Sequence, residues 1–254
     1  MTLKMINAPS PNHDGRRHPI DMLVLHYTGM ADGPSALERL QDPSPPCVSA
    51  HYMVAEDGTV FALVAEDRRA WHAGQSAWQG EEDLNSRSIG VEIVNGGHDF
   101  GLPAYPQAQI TAVIELCRDI VSRQAISATR IVGHSDIAPD RKEDPGERFP
   151  WRDLASAGIG LWPDLAPVSE RGEAAASTDG VIRLQQDLSA IGYRIAVSGA
   201  LDGETQAVVR AFQRRWRPEE VTGVADADTW RRIAAVSRLF RRARDAALDM
   251  PKDI

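Results

Sequence analysis

The chain has 254 residues, of which 43% are hydrophobic and 25% charged, and its formal net charge is -8. This composition is typical of a soluble globular protein, and the length allows one large hydrophobic core or two smaller ones. The charge is uneven, because 14 basic and 23 acidic residues precede Val168, while 14 basic and 13 acidic residues follow from there. The acidic first part argues against general nucleic-acid binding, although residues 210–244 contain ten arginines and four acidic residues. We expect no nucleic-acid partner.

The N-terminal stretch and the cysteines exclude further classes of protein. Residues 1–15 contain no apolar core of a signal peptide, and no later apolar run is long enough to span a bilayer. We therefore expect neither an export signal nor a transmembrane segment. Cys47 and Cys117 are seventy residues apart, which predicts neither a disulfide framework nor a thiolate metal cluster.

Short apolar runs alternate with amphipathic stretches as far as Trp162. The patterns predict strands at residues 21–26, 49–54, 59–64, 88–94 and 130–133. The second and third of these strands are joined across Asp57 and Gly58, which predicts a hairpin. Apolar residues at helical spacing predict helices at residues 34–40 and 107–124. This mixture predicts an α/β domain with a central mixed β-sheet flanked by helices.

The composition changes after residue 166, where residues 167–178 lack large apolar side chains and are typical of a linker. Two apolar stripes at helical spacing follow, and they consist of Val181, Leu184, Leu188 and Ile191, then Val208, Val209, Phe212 and Trp216. The spacing Gly-x-x-Asp-x-x-Thr occurs twice, and its aspartates, Asp202 and Asp226, predict two capped helix starts. We predict a first domain at residues 1–166, a linker at 167–178, a small three-helix domain at 179–236 and an arginine-rich tail at 237–254.

Three side chains in the first domain have the types that a metal hydrolase needs. Zinc hydrolases use about three protein ligands from His, Asp, Glu or Cys and leave one position open for water. His26 and His134 each follow the apolar residues of a predicted strand, and Asp144 lies ten residues after His134 on a loop with Pro145 and Gly146. Spacing alone leaves two interpretations open, a metal site or two hydrogen-bonded surface histidines.

Five segments resemble the type 2 N-acetylmuramoyl-L-alanine amidases, the group of AmpD and AmiD, whose fold is shared with bacteriophage T7-type lysozyme and the peptidoglycan recognition proteins. The segments are LVLHYTG at 23–29, SAHYMV at 49–54, AWHAGQSAW at 70–78, LNSRSIGVEI at 84–93 and GHSDIAPDRKEDPG at 133–146. They occur in the family's order and cover roughly residues 20–152. The last segment, with its Lys-x-Asp-Pro-Gly ending, is the most specific of the five.

The resemblance implies one zinc ion per chain, held by His26, His134 and Asp144. It also implies that Glu92 is the general base and that Lys142 stabilises the oxyanion, whereas by default both would be solvated polar residues. Pocket walls and contacts to the peptide are implied for a further set: Tyr52, Trp71, His72, Trp78, Asn85 and Arg87. His51 and Tyr52 alternate along a strand, so one of them can face the pocket, although core positions explain both.

Residues 181–233 are similar to the small three-helix peptidoglycan-binding domain that is attached to many wall hydrolases. The match rests on Leu184-Gln185, Gly192-Tyr193, Gly199, Asp202-Gly203, Thr205, Phe212-Gln213, Gly223, Asp226 and Thr229-Trp230. Phe212 and Trp230 are interpreted as core residues, because aromatic side chains at helical spacing are typical of a core.

Together the two resemblances imply a zinc-dependent enzyme that hydrolyses the amide bond between N-acetylmuramic acid, or its anhydro form, and L-alanine in peptidoglycan or muropeptide fragments. The alternative is a non-catalytic peptidoglycan-recognition protein. Such proteins usually lack a zinc ligand, so the five occupied positions favour the enzyme. The expected lack of an export signal favours the cytoplasm, whereas a wall-binding domain favours the cell envelope. The location, the preferred stem peptide, the form of the sugar and the oligomeric state are left open.

Overall fold

A computed structural model describes residues 3–165 and 177–248 of the chain. The predicted linker, residues 167–178, lies outside the described residues except for Ser177 and Thr178. Eight strands lie in the first part: β1 (Met5–Asn7), β2 (His13–Gly15), β3 (Met22–Tyr27), β4 (Tyr52–Val54), β5 (Val60–Ala62), β6 (Arg68–Ala70), β7 (Ser88–Ile93) and β8 (Ile131–Gly133). The same part contains helices α1 (Gly33–Gln41), α2 (Leu84–Arg87), α3 (Gln107–Gln124), α4 (His134–Ile137) and α5 (Trp151–Ser156), with short 3-10 turns at His98–Phe100 and Ala128–Arg130.

Six strands form one mixed sheet in the order β1-β5-β4-β7-β3-β8, and β2 pairs with β6 in a separate antiparallel ribbon. Every pair in the main sheet is parallel except β4 with β5, which form the predicted hairpin. The predicted central sheet flanked by helices is confirmed, and α3 begins and ends at the predicted residues. The sequence did not predict β1, β2 or β6, each of which has three residues.

The two faces of the main sheet pack against different parts of the chain. Successive side chains in a strand point to opposite faces. In β3, Leu23 and Leu25 belong to the core cluster that includes the apolar side of α3, whereas Met22 and Val24 belong to the cluster that includes the second part of the chain. Because the period is two, the face of Met22 and Val24 is also the face of His26.

The second part consists of three helices, α6 (Thr178–Ile191), α7 (Gly203–Trp216) and α8 (Ala227–Leu248). Both predicted caps are confirmed, because Asp202 accepts from the backbone N–H of Thr205 and Asp226 accepts from that of Thr229. The helix α8 runs through residue 236, where the sequence predicts the start of a separate tail, and Phe240 is fully buried. The helical stretch after residue 236 therefore packs as part of this unit, which we call the helical domain.

Two buried glutamines in the helical domain make the same set of contacts. Gln185 donates to the carbonyl of Ala200 and accepts from the backbone N–H of Gly199. Gln213 donates to the carbonyl of Val224 and accepts from the backbone N–H of Gly223. Each amide also donates to the threonine of the repeated spacing, Thr205 or Thr229. The repeat in the sequence therefore corresponds to two loops that are each fixed by one glutamine.

The helical domain packs directly on the first part of the chain. One continuous core cluster joins Met22, Val24, Trp78 and Val132 to apolar side chains of α6, α7 and α8. Trp78 is 1% exposed, its indole N–H donates to the carbonyl of Thr129, and its ring lies edge-on to Tyr193 at 5.1 Å between centroids. In the described part of the chain, the helices are too short or too polar to cross a bilayer.

His51 and Tyr52, one of which could face the pocket by sequence, both have partners elsewhere. His51 is buried, its Nδ1 accepts from the backbone N–H of Gly90, and its Nε2–H is left to donate to the carbonyl of Arg68. Burial, followed by the charge of Arg16, lowers the pKa of His51 to about 3. The hydroxyl of Tyr52 donates to Glu66 at 2.7 Å.

Replacing Trp78 with alanine tests the packing between the two parts. We expect the Trp78→Ala variant to lose about 3–5 kcal/mol of unfolding free energy, the usual cost of deleting a buried aromatic side chain. Urea denaturation followed by circular dichroism measures the loss, and Phe100→Ala, at a ring that is 55% exposed, is the matched control. A Trp78→Ala protein as stable as the control would contradict the shared core.

The neutral, buried His51 predicts acid sensitivity. The unfolded chain protonates this side chain near pH 6.5, whereas the folded protein resists protonation down to about pH 3. The unfolded state therefore binds more protons between these values, so stability is lost as the pH falls below about 6.5. We expect the wild type to lose unfolding free energy more steeply than His51→Asn, by about 1 kcal/mol per pH unit. If the unfolding free energies of the two proteins fell equally between pH 6.5 and 5, this assignment would be contradicted.

Candidate metal centre

Three potential ligands meet at one edge of the main sheet. His26 lies near the carboxyl end of β3, and His134 begins α4 directly after β8, the parallel neighbour of β3. Because parallel strands end at the same edge, the two imidazoles emerge side by side. Asp144 returns to this edge on the loop after α4, where its carbonyl accepts from the backbone N–H of Ser135 at 2.9 Å.

The distances within this cluster fit a metal ion. His26 Nδ1 lies 3.0 Å from His134 Nδ1 and 2.9 Å from Asp144 Oδ2, and His134 Nδ1 lies 3.1 Å from the same oxygen. All three side chains are buried. In a tetrahedral zinc site, bonds of about 2.0–2.1 Å place neighbouring ligand atoms about 3.3 Å apart. The three atoms thus form a triangle of nearly the size that a zinc ion requires.

The remote nitrogens of both histidines are engaged in a way that leaves the Nδ1 lone pairs free. His134 Nε2 lies 3.2 Å from the carbonyl of Ala73, which can only accept, so this nitrogen carries the proton. His26 Nε2 lies 3.1 Å from His72 Nδ1, His72 Nε2 lies 3.3 Å from Ser88 Oγ, and that hydroxyl donates to the carbonyl of Leu84. The carbonyl at the end of this chain fixes the direction of every donor, so His26 also presents an unprotonated Nδ1.

Two glycines make room for this arrangement. A Cβ atom on Gly90 would lie 2.4–2.6 Å from ring atoms of His72, so the ring can cross the face of β7 only because residue 90 has no side chain. A Cβ atom on Gly133 would lie 2.7 Å from Cδ of Pro145, where the ligand loop packs against the end of β8. Both glycines are thus required by close approach of other groups.

Burial keeps the cluster ready to bind a cation. It lowers the pKa of His26 to about 4, although the adjoining carboxylate of Asp144 acts in the opposite direction. Burial also holds the pKa of His72 well below its usual range, with smaller contributions from the neighbouring histidines. For Asp144, burial raises the pKa, but the adjoining imidazoles of His134 and His26 outweigh it and hold the pKa well below its ordinary value. At neutral pH the imidazoles of His26 and His72 are therefore neutral and the carboxylate of Asp144 is ionised.

Glu92 stands next to His26 in the sheet, because the two residues are register partners on β7 and β3 and share a face. Its Oε2 is inaccessible to water and has no hydrogen-bond partner among the described residues. Burial, followed by the negative charge of Asp144, raises the pKa of Glu92 well above its ordinary value, while Lys142 acts in the opposite direction. An unpaired carboxyl group with a raised pKa is suited to accept and return a proton.

The cluster opens into a cavity of about 280 Å³. Its wall also includes Tyr27, Trp71, His72, Glu92 and Lys142. Of the predicted substrate contacts, Trp71 and His72 are therefore at the cavity, and Tyr52, Trp78, Asn85 and Arg87 are not part of its lining.

The predicted contacts outside the cavity have structural partners. Asn85 accepts from the backbone N–H groups of His72 and Ala73, so it supports the segment that carries His72. Arg87 forms ion pairs with Asp21 and Glu81. Sequence reasoning did not find the link from His26 through His72 to Ser88, because nothing in the spacing of these residues indicates it.

Two family models and several known proteins are similar to this chain. The family model described as "N-acetylmuramoyl-L-alanine amidase" matches residues 16–147, and the one described as "Putative peptidoglycan binding domain" matches residues 177–233. The N-acetylmuramoyl-L-alanine amidase AmiD of Escherichia coli is 40% identical over 225 residues, which cover 83% of this chain and 79% of that protein. The 1,6-anhydro-N-acetylmuramyl-L-alanine amidase AmpD of Enterobacter cloacae is 36% identical over 166 residues, which cover 57% of this chain and 85% of that protein.

A solved structure extends the likeness to the fold. The complex of Escherichia coli AmiD with anhydro-N-acetylmuramic acid-L-Ala-D-gamma-Glu-L-Lys superposes with a TM-score of 0.77 at 35% sequence identity. The match covers 89% of this chain and 92% of the AmiD chain, so it includes both the sheet and the helical domain. The matching family model, the sequence identity to AmiD and the shared fold together show that the chain belongs to the N-acetylmuramoyl-L-alanine amidase family.

Proposed function

We propose that this chain hydrolyses the amide bond between N-acetylmuramic acid, intact or in its 1,6-anhydro form, and L-alanine, and that zinc held by His26, His134 and Asp144 is its cofactor. The observation that carries the proposal is the triangle of three ligand atoms, 2.9–3.1 Å apart, beside the unpaired Oε2 of Glu92. Two nitrogens and one carboxylate oxygen are a donor set that zinc accepts, with a further position left for water.

Zinc, when bound, would polarise the carbonyl of the scissile amide and lower the pKa of water towards about 7. Glu92 takes the proton from the attacking water, and its buried position keeps competing hydrogen-bond donors away from Oε2. A bound cation would favour the ionised form of Glu92 and so act against the rise in its pKa. The same carboxyl group then gives the proton to the leaving amine of L-alanine, since an amide cannot expel an unprotonated nitrogen.

Lys142 supplies positive charge at the same cavity. This residue lies two positions before Asp144 in the chain. Its ammonium group is close enough to lower the pKa of both Glu92 and His26. We assign it to the negative charge that develops on the carbonyl oxygen during attack. Trp71 and Tyr27 form apolar and hydroxyl-bearing walls beside it, which are suited to hold a sugar ring and the start of the peptide.

Zinc binding is tested by metal analysis of purified protein. We expect one zinc per chain, loss of amide hydrolysis after chelation and recovery on adding zinc, because three protein ligands leave a position for water. His134→Ala should lower the stoichiometry, whereas His13→Ala, at a histidine on β2 outside the cluster, should leave it at one. Full activity in a metal-free preparation would remove the mechanism.

The role of Glu92 is tested with the isosteric Glu92→Gln variant. We expect zinc content and stability to be retained and kcat to fall by about a hundredfold or more, the usual scale of general acid–base catalysis. Release of the peptide from a soluble muropeptide, followed by chromatography, measures the rate. Turnover near that of the wild type would reassign the base to another group.

A further inference from the structure

The segment that carries two of the three metal ligands is held by the helical domain. Asp136, two residues after His134, accepts from Arg215 Nη1 at 2.8 Å and from the hydroxyl of Tyr193 at 2.6 Å. Both donors belong to the helical domain, at α7 and just after α6. Asp136 is 1% exposed, and Arg215 and Tyr193 are each 2% exposed, so water does not compete for these bonds.

Asp136 in turn fixes the start of α4. Its Oδ2, which accepts from Arg215, also accepts from the backbone N–H of Gly133 at 2.9 Å. This bond closes the first turn of a helix that has four residues, the first of which is His134. Since so short a helix has no further turns to hold it, a shift of the Asp136 carboxylate would rotate the backbone that carries His134. The ligand triangle tolerates little movement, because metal sites require ligand placement within about 0.5 Å.

Arg215 is itself rigidly placed. Its guanidinium carbon lies 4.0 Å from the centroid of the Trp151 ring and 4.4 Å from that of Trp216, so it is held between one aromatic ring of the first part and one of the helical domain. Such stacking orients the planar guanidinium and compensates part of its lost hydration. Asp136 thus meets a preformed positive charge, whereas a buried carboxylate without such a partner would be strongly destabilising.

Arg214, the residue before Arg215, contacts the ligand segment near Asp144. Arg214 forms an ion pair with Glu143, which directly precedes the ligand Asp144, and its Nε lies 4.0 Å from Glu147. Glu147 lies 3.0 Å from His98 Nε2, and His98 Nδ1 lies 3.0 Å from the hydroxyl of Tyr27. Two consecutive arginines of one helix therefore contact the ligand segment near each of its ligands, Arg215 at Asp136 and Arg214 at Glu143.

We infer that Arg215 is a positioning residue for the metal centre and that the helical domain, besides any contact with the wall, clamps the ligand segment through Asp136. The inference rests on the proposed zinc site. It separates two roles for the helical domain, since a purely tethering domain would leave zinc affinity unchanged when its buried arginine is altered.

The test measures zinc affinity by competition with a chromophoric chelator on the full-length protein, together with unfolding free energy. We expect Arg215→Gln to bind zinc about 10–100-fold more weakly, the usual effect of altering a group behind a ligand, and Tyr193→Phe to show a smaller loss in the same direction. The matched control is Arg217→Gln. Arg217 is 4% exposed and pairs with Glu220 and Asp226 inside the helical domain, away from the ligand loop. It should destabilise the protein while leaving zinc affinity at the wild-type value.

A double variant keeps the test decisive if Arg215→Gln folds poorly. In Asp136→Asn with Arg215→Gln, no unpaired charge is buried, and the asparagine oxygen can still accept from Gly133. We expect this protein to recover stability and to regain part of the lost zinc affinity. Wild-type zinc affinity in Arg215→Gln would overturn the inference. Where only the double variant folds, wild-type zinc affinity in Tyr193→Phe would overturn it. An equal loss of zinc affinity in Arg217→Gln would also overturn it. A wild-type protein that binds no zinc would instead overturn the proposed function.

Discussion

Burying two imidazoles and a carboxylate within about 3 Å of one another is the constraint on which the rest of the site depends. With both remote nitrogens donating, the two Nδ1 lone pairs and the carboxylate meet without a donor among them, so the arrangement favours a bound cation and needs an acceptor for each remote N–H. For His134 that acceptor is the carbonyl of Ala73, and for His26 it is the relay that ends at the carbonyl of Leu84. The sheet edge, the two required glycines and the ligand loop all serve this one arrangement.

The packing of the helical domain changes what a wall-binding module can do here. A module on a flexible linker raises the local concentration of an enzyme without fixing its orientation. In this chain the module shares a core cluster with the first part, and Trp78 is buried between them. A wall strand bound to the helical domain would therefore be presented to the cavity in one orientation. The predicted domain limits at residues 166 and 179 stay predictions, because most residues between them lie outside the part of the chain that the structure describes.

The parts that could be predicted from the sequence are those with local or highly specific signals. The helix at 107–124 has a strong apolar stripe, and Asp202 and Asp226 lie where helix caps are expected, so these were correct to the residue. Spacing alone left the metal site undecided, and only the resemblance of five segments singled out His26, His134 and Asp144. The structure then supplied the distances among them.

Other features could not be predicted because their causes are not local. The strands β1 and β2 are short and mostly polar or exposed, so they lack a core-facing pattern. His72 was expected to contact substrate, and it does line the cavity, but its contact with His26 depends on the bare backbone of Gly90 on another strand. Asp136 and Arg215 are 79 residues apart, and an arginine in a basic stretch gives no sign of a buried partner.

One face of the main sheet is divided between the core shared with the helical domain and the candidate metal site. Met22, Val24 and His26 share a face of β3, and the first two lie in the core cluster with the helical domain while the third is a candidate ligand. The neighbouring face of β7 carries Ser88 and Glu92, which are polar and belong to the site. A helix laid along the whole face would close the cavity, so the helical domain covers only the end that begins with Met22. Its buried charge, Arg215, pairs with Asp136 at the boundary between the two regions, which is where a change in packing would reach the candidate metal ligands.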